Sequence, residues 1–345
     1  MPSLQSLTGQ LQLRLDWSRS RIRRVEVELQ RPLQQLSRLW TGRRPEEVLQ
    51  LMPLTFAVCS LAQQAASVQA LEAATGWEAD PAIHDWRQQA VRLEALRETL
   101  LLLHSWQPQA CPDSFLPWLQ ATQPLLGQWQ SVMGFQQQGL PEQLEQPADL
   151  ELLYQELLQA EQQVQPGEQL ACPSVVLSPA SCEPLEEEDW PHLLAQLRRG
   201  DASAHLAGDP RVTGLPATRK ASQANDQVSQ AFLSLLHQAQ SLTRALMGEG
   251  ELRQYPPLPL TRPGEGWARV MTARGWLMHR VEVEAGRIAG YQLLAPTDWN
   301  LHPQGLLFQQ LKNLKVDKAD LQPLASALMA CQFPCVESQV EIEYA

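Results

Sequence analysis

The sequence lacks the closely spaced ligand pairs that are typical of a structural zinc site. Neither a Cys-x-x-Cys nor a His-x-x-x-His pattern occurs in it, whereas structural zinc is usually held by such pairs. The cysteines are instead scattered over the chain, at Cys59, Cys111, Cys172, Cys182, Cys331 and Cys335. We therefore expect no structural zinc site.

An N-terminal export signal and an apolar run of membrane-spanning length are also absent from the sequence. We therefore expect a cytoplasmic protein without a membrane partner, whose cysteines are free thiols or metal ligands rather than disulfides. The sequence also has no excess of basic residues, because 38 acidic residues outnumber 27 basic ones and give a net charge of -11. This charge would repel a phosphate backbone, so we expect protein partners and no nucleic acid.

The apolar patterns that are present predict an α+β fold that is mainly α, in a single domain over residues 1–345. Period-two alternation predicts a hairpin at 11–31 and a second β element at 267–294. Apolar residues at three- and four-residue spacing predict helices over about 59–74, 85–105, 222–247 and 306–328. The region 107–215 is rich in Gln and Pro and is expected to be variable, with helical pieces near 149–163 and 190–199. These elements predict a helical bundle with small antiparallel β elements.

Two cysteines stand where half of a metal-binding pair would be expected. The residue three before Cys59 is Phe56, and the residue three after Cys335 is Ser338. Cys59 also opens a predicted helix, where the positive end of the helix dipole favours the thiolate that binds metal. The alternative is that Cys59 is a small buried hydrophobe. Two thiolates can hold one metal fragment, although they cannot hold a complete dinuclear centre.

Four segments, in the right order, resemble motifs of the large subunit of nickel-iron hydrogenases. The family patterns are R-x-C-G-x-C-x-x-x-H followed by A-S-V-x-A, then P-R-G-x-x-x-H, P-T-x-W-N-x-x-P and D-P-C-x-x-C-x-x-H. The matching segments are Leu54–Ala70, Ala273–His279, Pro296–Pro303 and Phe333–Ser338, with Glu341 at the last histidine. The resemblance implies a hydrogenase-large-subunit-like bundle over most of the chain.

The departures from these motifs fall on the nickel and on proton transfer. The family's four nickel thiolates correspond here to Phe56, Cys59, Cys335 and Ser338, so we expect no nickel. The family's proton-relay Glu corresponds to Thr8, which cannot shuttle protons at neutral pH. We therefore expect no hydrogen turnover and no enzyme activity.

The positions around the iron are retained. In the family, the Arg of P-R-G and the Thr of P-T-x-W surround an iron that carries carbon monoxide and cyanide, and these positions are Arg274 and Thr297, with Pro296 beside the latter. Guanidinium and hydroxyl donors suit an anionic cyanide nitrogen. Cys59 matches a bridging ligand of the iron, whereas Cys335 matches a terminal ligand of the nickel.

This selective loss resembles the HupK/HoxV family of hydrogenase maturation proteins. The resemblance implies a scaffold that accepts an Fe(CN)2CO fragment from the HypC/HypD maturation complex and passes it to the apo large-subunit precursor. It further implies that Cys59 and Cys335 bind the metal. The alternative is a metal-free chaperone that mimics the large subunit, in which Cys59 is a core thiol and Arg274 forms a structural ion pair. A subunit of quinone-reducing complexes is a third possibility, but it has no need of cysteines at ligand positions.

Overall fold

A computed structural model describes most of the chain. It covers residues 9–30, 38–56, 58–106, 113–135, 145–163, 172–180, 182–206, 208–218, 223–249 and 262–345. The predictions for Thr8 and Cys111 lie outside these ranges. The chain forms two compact units, each built from several segments. The first unit comprises Met1–Gln35, Gln165–Ser234 and Leu294–Ala345, and the second comprises Leu36–Val164 and Leu235–Leu293.

The described elements are mainly helical, as predicted. The α-helices are α1 Pro45–Thr55, α2 Ser60–Thr75, α3 Pro81–Trp106, α4 Phe115–Trp129, α5 Leu150–Gln163, α6 Trp190–Arg198, α7 Ala224–Leu246, α8 Pro296–Asn300, α9 Leu306–Leu311 and α10 Lys318–Ala330. The strands are β1 Gln10–Ser18, β2 Arg21–Gln30, β3 Glu183–Pro184, β4 His205–Leu206, β5 Asp209–Val212, β6 Glu265–Thr272, β7 Gly275–Glu284, β8 Arg287–Leu294 and β9 Glu337–Tyr344. Among the described helices, none is both long and apolar enough to cross a membrane.

The first unit is built on a three-stranded sheet of order β2-β1-β9. The predicted hairpin is present, because β1 and β2 pair antiparallel. The side chains of Leu11, Leu13 and Leu15 alternate onto one face and are fully buried, where they share a core with apolar residues of α9 and α10. Strand β9 adds to β1 in parallel, a pairing that the sequence analysis did not anticipate.

The second unit places α2 against a sheet of order β6-β7-β8. Twelve of the 16 residues of α2 are buried, so neighbours cover the helix on almost every side. The closest approach is at Gly266 of β6, where an added Cβ would lie 1.8 Å from the backbone oxygen of Ala70. Only glycine permits this contact, and the strand thereby fixes the position of α2.

A buried ion pair joins α2 to α3 in the same unit. The guanidinium of Arg87 donates two hydrogen bonds of 2.8 Å to the Glu72 carboxylate. It also donates to the backbone oxygens of Val132 and Gly134, at 2.8 and 2.9 Å. Arg87 is fully buried, and a charge in that position requires such complete pairing.

The predicted boundaries of α2, α3 and α7 agree with the structure to within a few residues, whereas the helix predicted over 306–328 is divided into α9 and α10 by a non-helical segment at 312–317. Helix α2 ends at Thr75, and Gly76, with a positive φ of 71°, forms its left-handed C-cap. Helix α4, at Phe115–Trp129, lies in the region expected to be variable and was not predicted. Cys335 lies beyond the end of α10, in the bend before β9.

Candidate functional site

Cys59 is the N-cap residue of α2, as predicted. Its side chain is half-buried, and the amide nitrogen of Gln63, one turn along, donates a hydrogen bond of 3.6 Å to the sulfur. The sulfur therefore lies at the positive end of a helix and next to a neutral donor. Both features favour a thiolate over a thiol.

A buried carboxylate from α3 caps the same helix end. The two oxygens of Glu94 accept hydrogen bonds from the backbone N–H groups of Leu61 and Ala62, at 2.7 and 2.8 Å. The Glu94 oxygens thus replace a side-chain N-cap, because the Cys59 side chain makes no capping hydrogen bond. Burial, together with the neighbouring charge of Glu98, raises the pKa of Glu94 to about 8. Glu94 therefore holds the segment that presents Cys59 and is itself close to neutral charge at physiological pH.

Arg274 lies in the turn between β6 and β7 and forms a buried ion pair with Glu98. Burial raises the pKa of Glu98, and the Arg274 guanidinium opposes this rise. The other oxygen of Glu98 has no hydrogen-bond partner among the described residues. Glu94 and Glu98 thus place two buried carboxyl groups near one guanidinium, which favours a shared proton.

His279 is fully buried and hydrogen-bonded. Its Nδ1 lies 2.7 Å from the Tyr291 hydroxyl, and its Nε2 lies 2.9 Å from the side-chain oxygen of Gln63. The Tyr291 hydroxyl is also 2.9 Å from the Ser67 hydroxyl. Burial lowers the pKa of His279 to about 3, so the ring is neutral.

In the first unit, Cys335 lies beside Thr297. The Cys335 sulfur and the Thr297 hydroxyl are 2.9 Å apart. Thr297 is buried in α8 directly after Pro296, which is also buried and begins that helix. Asn300, at the end of α8, accepts a hydrogen bond of 2.9 Å from the backbone N–H of Thr213. This contact and the helix hold the hydroxyl next to the sulfur.

Ser338 and Cys331 flank Cys335 in the sequence and carry an oxygen and a sulfur that could complete its coordination. Ser338 lies in β9, where its hydroxyl donates to the backbone oxygen of Val336 at 3.2 Å. Cys331 is fully buried at the C-cap of α10. Glu341, at the position of the family histidine, forms an ion pair with Arg14 of β1 at 3.1 Å. The structure therefore associates Cys335 with Thr297 rather than with Ser338.

Two other half-buried cysteines differ from Cys59 and Cys335 in their surroundings. Burial, with the neighbouring Cys331, raises the pKa of Cys172 to about 12. Burial likewise raises the pKa of Cys182 to about 11. Both are protonated thiols at neutral pH, and the thiol is a poor metal ligand.

A metal site formed by many ligands is not found in the part of the chain that the structure describes. No group of three or more His, Cys, Asp or Glu side chains is arranged there to hold a metal ion. The five cysteines in the described part of the chain form no disulfide with one another. Cys59 and Arg274 lie in the second unit, and Cys335, Thr297 and Pro296 lie in the first.

Sequence reasoning missed Glu94 and Glu98 as neighbours of the predicted site. The available signal was their spacing, because Arg87, Glu94 and Glu98 lie on one face of α3 together with Ile83 and Ala90. Charged side chains on an otherwise apolar face must be paired when they are buried. Their partners, however, lie in other segments of the chain.

Known proteins resemble this chain over nearly its whole length. The hydrogenase expression/formation protein HupK of Azotobacter vinelandii is 33% identical, over 98% of this chain and 100% of that protein. The hydrogenase expression/formation protein HupV of Azotobacter chroococcum mcd 1 is 35% identical, with the same coverage. HoxV of Cupriavidus necator is 36% identical over 29% of each chain. The chain matches no model of a protein family.

Solved structures give the fold. A chain of the Ni-Fe-Se hydrogenase from Desulfovibrio vulgaris Hildenborough superimposes with a TM-score of 0.54 and 14% identity, covering 92% of this chain and 94% of that chain. The Ni-Fe-Se hydrogenase from Desulfomicrobium baculatum gives a TM-score of 0.54 at 12% identity, with 93% and 95% covered. The predicted hydrogenase-like fold is thus confirmed, and the sequence relatives show that the chain belongs to the HupK/HoxV family of hydrogenase expression/formation proteins.

Proposed function

We propose that this protein is a non-catalytic scaffold of hydrogenase assembly that transiently holds the Fe(CN)2CO fragment and passes it to the apo large-subunit precursor. The observation that carries this proposal is the state of the two cysteines at ligand positions. Each lies beside a neutral hydrogen-bond partner, Cys59 beside Gln63 and Cys335 beside Thr297. The membership of the chain in a family of hydrogenase formation proteins supports the same role.

The donor groups suit an anionic iron fragment. Soft thiolates bind such iron well, and Cys59 lies at a helix N-terminus, where negative charge is stabilised. The buried hydroxyl of Thr297 is a candidate donor to a cyanide nitrogen, with Pro296 fixing the start of its helix. Arg274, which is paired with Glu98, is the second candidate, since a guanidinium is a charged group with several N–H donors.

Transfer to the precursor would follow from the number of thiolates. A holder that offers fewer thiolates than the acceptor's full set binds the fragment less tightly, so transfer is favourable without ATP. The HypC/HypD complex is the proposed source of the fragment, and the large-subunit precursor is the proposed recipient. No nickel is expected at either cysteine, because Phe56 and Ser338 replace the remaining thiolates.

The test is anaerobic purification from cells that contain the maturation machinery, followed by infrared spectroscopy. We expect CO and CN stretches in the wild type, their loss in Cys59→Ala, and weaker bands in Cys335→Ala. The matched control is Cys182→Ala, which removes a half-buried thiol that is protonated at neutral pH. An absence of these bands in the wild type, or their persistence in Cys59→Ala, would contradict the proposal.

A metal-free chaperone is the second candidate, and one observation favours it. The Arg274 charge is compensated by Glu98 in a buried pair, as expected of a structural residue. A chaperone that acts only through surface contacts should tolerate both Cys59→Ala and Cys335→Ala. Restoration of hydrogenase activity by both variants, in cells lacking the native protein, would favour the chaperone over the scaffold.

A further inference from the structure

Positive charge is concentrated in two short segments of this acidic chain, at 19–24 and 312–318. Their basic residues, which we call the basic patch, are Arg19, Arg21, Arg23, Arg24, Lys312, Lys315 and Lys318. The two segments contain one acidic residue, Asp317, so their charge is +6, whereas the whole chain has a net charge of -11. The chain contains only four lysines, and three of them lie in 312–318.

Backbone pairing brings these two segments together within the first unit. The N–H of Ile22 donates to the backbone oxygen of Leu314 at 2.9 Å, and Arg21 forms an antiparallel bridge with Lys315. Ile22, Leu314 and Val316, which flank the bridge, are buried. Because side chains alternate along extended backbone, Arg21 and Lys315 lie together on the opposite face, which is open to solvent.

The bridge places two like charges opposite each other. The Cβ atoms of cross-strand partners lie about 5 Å apart, and like charges in that position are destabilising. Among the described residues, Arg21, Lys315 and the neighbouring Arg19 form no ion pair, whereas Arg24 is paired with Glu26. Three charges of the patch are therefore left without a compensating carboxylate in the described part of the chain.

The turn that carries Arg19 is not one that the fold requires to contain arginine. Ser18 pairs with Arg21, so Arg19 and Ser20 form a two-residue hairpin turn. Both have a positive φ, of 50° and 56°. Asn-Gly is the favoured pair in such turns, because most side chains are disfavoured at positive φ. Arg19 is also exposed, so no packing contact accounts for its presence.

We propose that the basic patch is a docking surface for a carboxylate-rich segment of a partner protein. Arginine binds a carboxylate through two parallel hydrogen bonds, and lysine binds it as a point charge. A carboxylate between Arg21 and Lys315 would replace their repulsion with two attractions. A nucleic acid or an anionic membrane extends beyond the patch and would meet the acidic remainder of the chain, whereas a short acidic segment would not. This surface does not depend on whether the chain holds an iron fragment.

The first experiment measures binding of the full chain to a fluorescein-labelled peptide of alternating Glu and Ser, by fluorescence anisotropy at about 0.15 M salt. We expect saturable binding that weakens as salt is added. Lys315→Glu should lower the affinity about tenfold, because it removes an attraction and adds a repulsion. Arg43→Glu is the matched control, because it makes the same change of net charge at an exposed position outside the patch, and it should change the affinity by about twofold at most. A wild type that does not bind the peptide, or an equal loss in both variants, would overturn the proposal.

Thermal unfolding separates this loss from damage to the fold. Lys315→Glu converts the like-charge pair into an Arg–Glu pair, so its Tm should be no lower than that of the wild type. A lower Tm would show that the bridge is not repulsive and would overturn the proposal.

The turn provides a second pair of variants. Ser20→Gly relaxes the turn and keeps every charge, so we expect the wild-type affinity for the peptide. Arg19→Asn combined with Ser20→Gly creates the favoured turn pair and removes one charge. Its Tm should be no lower than that of the wild type, but its affinity should fall about threefold. Wild-type affinity in this double variant, or an equal loss in Ser20→Gly alone, would contradict the role of the patch.

Competition identifies the occupant. Displacement of the labelled peptide by a DNA duplex or by phosphatidylserine vesicles, at a lower concentration of charge than unlabelled peptide requires, would overturn the choice of a protein partner. A second copy of this chain is the remaining alternative, because the first unit also exposes Glu186, Glu187 and Glu188. Sedimentation should therefore show no dimer that Lys315→Glu dissociates, and such a dimer would assign the patch to self-association instead.

Discussion

The buried carboxyl pair of α3 predicts how the stability of the protein depends on pH. Glu94 is protonated in the folded protein up to about pH 8, whereas the carboxyl of an unfolded chain ionises near pH 4.3. Between these values the folded state binds one proton more than the unfolded state. The free energy of unfolding therefore falls as pH rises, by about 1.4 kcal/mol per pH unit and on the order of 3–5 kcal/mol over the whole interval.

Between pH 6.5 and 8, the contribution of Glu94 to the pH dependence of stability is separated from that of the buried histidines. Burial lowers the pKa of both His279 and His302. Their titration therefore destabilises the protein only when the pH falls below the pKa of an unfolded histidine, near 6.5. Over the remaining 1.5 pH units we expect a loss of about 2 kcal/mol in the wild type. Glu94→Gln carries no titrating proton, so this loss should be absent from the variant.

The assay is urea unfolding followed by tryptophan fluorescence at pH 6.5, 7.25 and 8, for wild type and Glu94→Gln. The variant loses one backbone hydrogen bond and is less stable at pH 6.5, by about 1–3 kcal/mol. Its deficit should shrink by about 2 kcal/mol on reaching pH 8. Glu46→Gln, at an exposed position of α1, is the control and should keep the wild-type slope. Parallel curves for wild type and Glu94→Gln would refute the assignment of the proton to this pair.

Three further predictions concern packing and the second cysteine. Arg87→Met should lower the free energy of unfolding in urea by about 3–5 kcal/mol, because it leaves the Glu72 carboxylate buried and unpaired. The double variant with Glu72→Met should recover most of this stability. If the destabilising effects of the two substitutions simply add, the ion-pair explanation is wrong. In thermal unfolding, Gly266→Ala should lower the stability by about 3 kcal/mol, because the added Cβ clashes with α2. Gly286→Ala should lower it by only about 1 kcal/mol, because Gly286 has a positive φ but the added Cβ would meet no neighbouring atom. Thr297→Val should lower stability by only about 1 kcal/mol but reduce the iron content of anaerobically purified protein, and wild-type iron content would count against a role for this hydroxyl.

Sequence patterns predicted the local elements well because these depend on near neighbours. The alternation of Leu11, Leu13 and Leu15 specifies one buried face of a strand, and the spacing from Leu61 to Gly76 specifies a helix with a glycine cap. Strand β9 also alternates, but its parallel partner is more than 300 residues away. No local feature of the sequence identifies β1 as the partner of β9.

The same limit separates the predicted from the unpredicted parts of the site. Motif positions located Cys59, Arg274 and Thr297, and their roles stay predictions. The carboxyl groups next to the Cys59 helix end and to Arg274 were missed because each contact joins distant segments. Glu94 reaches the start of α2 from 33 residues away, and Glu98 meets Arg274 across 176 residues. Burial and charge compensation impose these pairs, and both depend on tertiary packing.

The parallel pairing of β9 with β1 has a consequence for the order in which the protein is made. Arg14 and the Glu341 that it contacts are 327 residues apart. A ribosome that adds 5–20 residues per second needs on the order of 20–60 s to cover that distance. Helices α2 and α3, which carry Cys59 and the Glu94 that caps its helix, leave the ribosome long before β9, so Cys59 emerges well before Cys335. Proteins that meet the chain during translation would therefore encounter the two cysteines one after the other.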